Sequence, residues 1–187
     1  MKDLLLVIDM QKVYEEGAPW ACRGVDRVSS AIRQLLDSGR AAQTIFTRYD
    51  ASTEPVGCWA AYNEAYADIN ADSRLSELVD ALAPIAENYP IFSKQTYSSL
   101  SIPELAKAVS EADRVLVTGV VAECCVLATV LALVDAGAKV VYLKDAVAGQ
   151  TAEFEQMVET IVASFAPIHT CVMTVEEYLS STDSSCK

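Results

Sequence analysis

The sequence predicts a single α/β domain: a doubly wound, three-layer sandwich of about six mostly parallel strands flanked by helices. Two observations lead there. Short runs rich in β-branched residues alternate with amphipathic stretches of helical length, the pattern of repeated βαβ units. The chain has 187 residues, 52% of them apolar and 21% charged, which is the size and make-up of one well-packed globule.

Six runs read as strands: Leu4 to Asp9, Gln43 to Arg48, Ile91 to Lys94, Arg114 to Val121, Lys139 to Leu143 and Thr170 to Thr174. They fit one Rossmann-like sheet. The first helix runs from Val25 to Ser38, with Val28, Ile32, Leu35 and Leu36 on one face and Gly39 as its stop. Further helices are expected over Arg74 to Leu82, Pro103 to Ala112, Cys125 to Ala136 and Ala152 to Ser164. Ser101 and Thr151 are candidate caps, and Gly137 ends the fourth helix. No repeat or interdomain linker interrupts residues 1–180, and the tail 181–187, STDSSCK, is expected to be disordered. Residues 50–72 break the alternation with an aromatic-rich connection, and long connections of this kind are often functional.

The formal charge of −12, with no cluster of Lys and Arg, excludes nucleic acid and anionic membranes as expected partners. Small molecules and copies of the chain itself, in a homo-oligomer, remain. No apolar run reaches the roughly 18 residues that a membrane span needs. The apolar stretch near the N-terminus runs into Asp9 and Gln11 where a signal peptide would carry a small-residue cleavage site, so it reads as a buried strand. The six cysteines lack a framework spacing, which predicts reduced thiols in a cytoplasmic protein. Cys124 and Cys125 are adjacent and His169 is the sole histidine, a poor ligand set, so neither a metal nor another cofactor is expected.

Ligands of doubly wound sheets bind beyond the carboxyl ends of the strands. Three such ends carry chemistry: LLLVID ends in Asp9, IFSK ends in Lys94, and RVLVTGVVAECC delivers Cys125 to a helix start. A cysteine there gains thiolate character from the helix dipole and a nearby ammonium, a carboxylate can shuttle the proton, and unpaired helix N–H groups can face an oxyanion. Taken singly, each residue also reads as structural: a strand-end acid, a solvated lysine, a small buried thiol. Their combination carries the argument.

The ordered elements Asp9-Met10-Gln11, Thr47-Arg48, Lys94-x-x-Tyr97-Ser98, Gly119-Val120-x-x-x-x-Cys125-Val126-x-x-Thr129 and Gly137-x-x-Val140-x-x-x-x-Asp145-Ala146 span nearly the whole chain. In these elements the sequence resembles the isochorismatase-like cysteine hydrolases, which include nicotinamidases and N-carbamoylsarcosine amidase. The resemblance implies Cys125 as nucleophile, Asp9 as general base and Lys94 as the cation beside the sulfur. It also implies an oxyanion hole of the Val121 and Cys125 N–H groups, with a cis peptide before Val121. Its register selects Cys125 over Cys124.

Two departures matter. Ala122 and Glu123 replace the family's usual Thr-Asp pair, and the histidines that hold metal in nicotinamidases are missing after the second strand. The resemblance thus disfavours metal-dependent nicotinamidase activity, and the presence of Cys125 argues against vinyl-ether hydrolysis of isochorismate. The expected activity is hydrolysis of a small amide, ureide or related C–N bond through a thioester. Acyl transfer by the same cysteine and a noncatalytic binding scaffold are the competing readings.

Gln11, Arg48, Trp59, Tyr62 and Tyr97 are candidate substrate contacts. Cys58, Trp59, Tyr62 and Tyr66 fall at helical spacings, either as an aromatic wall beside Cys125 or as the packed face of a short helix. Arg48 either binds a substrate carboxylate or pairs with one of the chain's many acids. Glu123 is expected to hydrogen-bond or cap locally, and His169 to be structural.

Overall fold

The computed structural model describes residues 1–181. Its six strands form one fully parallel sheet: β1 (Asp3–Ile8), β2 (Gln43–Tyr49), β3 (Ile91–Lys94), β4 (Arg114–Val120), β5 (Val140–Ala148) and β6 (Thr170–Met173). Their order is β3-β2-β1-β4-β5-β6, so the winding reverses between β1 and β4.

Side-chain alternation along β1 divides the core. Leu5 and Val7 face the cluster built on α1 (Val25–Ser38), while Leu4, Leu6 and Ile8 face the other layer. That second layer comprises α6 (Pro103–Glu111), α7 (Leu127–Asp135) and α8 (Ala152–Ala163). Between β2 and β3 lie four short helices, α2 (Cys58–Ala65), α3 (Ala67–Ala71), α4 (Ser73–Ser76) and α5 (Ala83–Ala86), and α9 (Val175–Ser180) follows β6. Among the described residues no helix is long and apolar enough to cross a membrane.

Four expectations change. The helix expected over Arg74 to Leu82 breaks after Ser76, because the chain pairs there with residues 10–12 instead of with itself. Lys12 N–H donates to Glu77 O at 2.9 Å, Val79 N–H to Met10 O at 2.9 Å, and Gln11 bridges Leu78 antiparallel. The helix expected from Cys125 begins instead as a π-helical turn over Ala122–Val126. Cys171 on β6 is disulfide-bonded, so the thiols are not all reduced; Cys22, Cys58, Cys124 and Cys125 are free. Ser101 does not cap α6, which starts on Pro103 after Ile102, whereas Thr151 does cap α8. From Thr182 onward the expected disordered tail lies outside the described residues, and Ser181 is held by Arg40 through its carbonyl at 3.1 Å.

Candidate active site

The reversal point is built from β1 and β4 at very close approach. Gly119, at φ +110°, pairs with Ile8, and a Cβ on Gly119 would lie 2.0 Å from the Ile8 carbonyl oxygen. Only glycine fits there. Beyond it the Val120–Val121 peptide is cis, and the chain enters the π-helical turn, where Val126 N–H donates to Val121 O at 3.1 Å. Such turns recur at functional sites. This one sets Cys125 just past the end of β4, directly opposite the end of β1.

Asp9 closes β1 in a left-handed conformation, φ 51°, which Asp tolerates better than most side chains. Its Oδ1 accepts from the Thr47 hydroxyl at 2.8 Å, and its Oδ2 lies 2.6 Å from Lys94 Nζ. Lys94 ends β3, two strands away, and its ammonium reaches three acceptors: Asp9, the Cys125 sulfur at 3.3 Å and Thr96 O at 3.1 Å. The contact with Asp9 is an ion pair, and the other two are hydrogen bonds. Asp9, Lys94 and Cys125 are 0%, 2% and 3% exposed, so the structure brings the three predicted residues together in a closed pocket.

Burial sets the electrostatics. It pushes the Cys125 thiol up, the Asp9 carboxylate adds to this, and Lys94 only partly offsets both. This balance favours the thiol form at rest, whereas helix-start position and a nearby ammonium alone favour thiolate character. For Lys94, burial acts to lower the pKa, but Asp9 and Cys125 outweigh it and the net shift is upward, so the ammonium stays charged. Thr129 steadies the turn: its hydroxyl donates to Cys125 O at 2.6 Å and accepts from Ser99 N–H at 2.9 Å.

Aromatic side chains cover this cluster. Trp59 and Tyr62 of α2 meet Tyr97 with ring centroids 4.9 and 6.4 Å away, and Tyr62 also meets Tyr66 at 4.7 Å. Tyr14, Trp20 and Tyr49 complete the group, with Trp20 within 6.4 Å of Tyr14, Tyr49, Tyr62 and Tyr66. Burial, more than its neighbours Cys125 and Asp9, raises the Tyr14 phenol well above its ordinary value. Sequence reasoning did not find Tyr14, Trp20 or Tyr49. The one available signal was the long connection from residue 9 to residue 24, which carries two of them.

Two predicted contacts face other tasks. Gln11 accepts from Tyr49 N–H at 2.8 Å and donates to Tyr49 O and Ser76 O, both at 3.0 Å, so neither amide hydrogen is left for a ligand. It clamps the ends of β1, β2 and α4 together. Arg48 points to the opposite face from Thr47 and donates to Asp50 at 2.8 Å and Ser93 at 3.1 Å. Glu123 accepts from Gln150 N–H at 3.1 Å, which ties the π-helical turn to the loop after β5 rather than capping locally. Among the described residues no three of His, Cys, Asp and Glu converge so as to hold a metal ion.

Solved structures share this architecture. An isochorismatase-like hydrolase from Alkaliphilus metalliredigens superposes with a TM-score of 0.75 at 24% identity, covering 96% of this chain and 98% of that one. A cysteine hydrolase from Pseudomonas syringae pv. phaseolicola gives 0.79 at 22% identity, covering 95% and 91%. A pyrazinamidase/nicotinamidase from Streptococcus mutans gives 0.72 at 19% identity, covering 92% and 100%. A search of curated proteins finds no match. The class to which this fold and cluster point is a hydrolase built on a doubly wound parallel sheet. More particularly, residues 3–175 match the family model of the isochorismatase domain, and the chain belongs to the isochorismatase family.

Proposed function

We propose that the protein hydrolyses a small amide, ureide or related C–N bond through a thioester on Cys125. The observation that carries this is the contact of Lys94 Nζ with both the Cys125 sulfur, at 3.3 Å, and Asp9, at 2.6 Å, at the reversal point of the sheet. With burial pushing the thiol up, attack and proton transfer are coupled in this proposal. As the sulfur bonds to the carbonyl carbon, its proton passes to Asp9, and the carbonyl electrons move onto oxygen. The N–H groups of Val121 and Cys125 are the proposed donors to that oxyanion. Collapse breaks the C–N bond, Asp9 returns the proton to the leaving nitrogen, and a thioester remains. Water then attacks the thioester, Asp9 takes its proton, and collapse releases the acid and restores the thiol.

Lys94, beside both groups, strengthens its hydrogen bond to sulfur as negative charge develops there. No step calls for a metal. The test is release of ammonia or amine from a panel of small amides and ureides. Cys125→Ala should lower turnover at least about a thousandfold, while Cys124→Ala should stay within about threefold of wild type. Undiminished turnover in Cys125→Ala contradicts the proposal.

A further inference from the structure

Helix α7 is apolar nearly all round: in LATVLALVD the one charged residue is Asp135, at its last position. A helix of that composition belongs inside a larger core, yet Leu131 is open to solvent. Thr129 turns one flank of α7 toward the connection before α6, where its hydroxyl meets Ser99. At about 100° per residue, Leu127, Leu131 and Val134 fall on the opposite flank, toward α8. Helix α8 runs beside α7 in the same layer. Its Val158 and Val162 face the core, Glu155 and Glu159 turn one way, to Arg27 and Lys144, and Phe154, Met157 and Ile161 turn the other, toward α7. One apolar face therefore crosses both helices.

Size and charge decide what can cover it. Leu131, Phe154, Met157 and Ile161 are 39–53% exposed, and at roughly 200 Å² for a free residue of this size they present about 350 Å² of apolar surface. Leu127 and Val134 are half-buried and add to it. One side of a standard interface covers about 800 Å², a little over half of it apolar, so this face supplies most of the apolar part that a stable dimer needs. The chain carries a formal charge of −12, so two copies repel each other over most of their surface. The six side chains of this face are uncharged, and there two copies can meet without setting carboxylate against carboxylate. A basic partner, by contrast, is drawn to the acidic surface elsewhere.

We propose that the α7–α8 face pairs with the same face of a second copy about a two-fold axis. The axis makes the face its own complement, and the contact closes at two chains.

Sedimentation velocity over about 1–100 μM protein reads the association. Wild type should reach twice the chain mass of 20.2 kDa. Met157→Glu and Ile161→Glu each place a carboxylate in the contact at an exposed position, and each should weaken pairing at least about tenfold while the far-UV circular dichroism stays that of wild type. Val56→Glu, at a still more exposed apolar position outside the face, is the control and should pair as wild type does. If wild type forms a larger assembly, the two α8 changes should halve its mass.

A chain that is monomeric at about 100 μM overturns the proposal and leaves the face to a different protein. An oligomer that Met157→Glu and Ile161→Glu leave intact, or that Val56→Glu disrupts as strongly as they do, overturns it as well.

Discussion

Lys94→Met tests whether the three buried groups form one electrostatic unit. In the native protein the Asp9 carboxylate is fully buried, with Lys94 at 2.6 Å and the Thr47 hydroxyl at 2.8 Å as its partners. The substitution preserves much of the side-chain bulk but leaves a buried negative charge with one neutral donor. Removing one member of a buried pair costs about 3–5 kcal/mol. Adding Asp9→Asn removes the stranded charge, so the double variant should recover at least about 2 kcal/mol relative to Lys94→Met alone. Urea unfolding followed by circular dichroism at pH 7, with linear extrapolation, measures all four corners of the cycle. A cost below about 1 kcal/mol for Lys94→Met, or a double variant no more stable than the single, would refute the reasoning.

Other consequences concern the sulfur and its base. Cys58 is exposed while Cys125 is 3% exposed with its thiol pushed up, so iodoacetamide at pH 7 should label Cys58 first. This reverses what thiolate character at a helix start would predict, and peptide mapping over time decides it. Thr47→Val removes the 2.8 Å hydrogen bond to Asp9, worth about 1.5–3 kcal/mol to a charged group, and should lower kcat about 10- to 100-fold with little change in KM. The folded thiol of Cys125 is raised, so the unfolded chain loses this proton first as pH rises. Its contribution to stability is present at neutral pH and declines above about pH 8.5. Urea titrations at pH 7 and 10 should show a smaller alkaline decline in Cys125→Ala than in wild type.

The sheet was legible because each strand is a compact apolar run, and because the chemistry sits at strand ends, where the residue type changes abruptly. Asp9, Lys94 and Cys125 could be singled out for that reason before any coordinates. The segment 74–82 could not. Its apolar residues Leu75, Leu78, Val79 and Leu82 satisfy a helical spacing, but the backbone partners that break the helix lie more than sixty residues earlier in sequence. Periodicity carries no record of such pairing. The aromatic cover was half legible. Trp59, Tyr62 and Tyr66 share one helix, whereas Tyr14, Trp20 and Tyr49 come from two other connections and meet only in the fold. The last helix, α9, did carry a local signal in the Thr174 and Glu177 capping box, which a closer reading of caps would have caught. The upward push on the thiol follows from burial beside Asp9, a property of packing that strand-end position alone does not reveal.

The account stands most directly on whether Cys125 becomes acylated. Rapid acid quench of the protein during turnover of any amide that it cleaves, followed by intact-mass analysis and peptide mapping, measures this. The expected result is an adduct with the mass of the acyl group on the peptide that carries Cys125, absent in Cys125→Ala, and assigned by fragmentation to Cys125 rather than Cys124. An adduct on Cys124, or single-turnover product formation with no adduct at any time point and undiminished rate in Cys125→Ala, would contradict it.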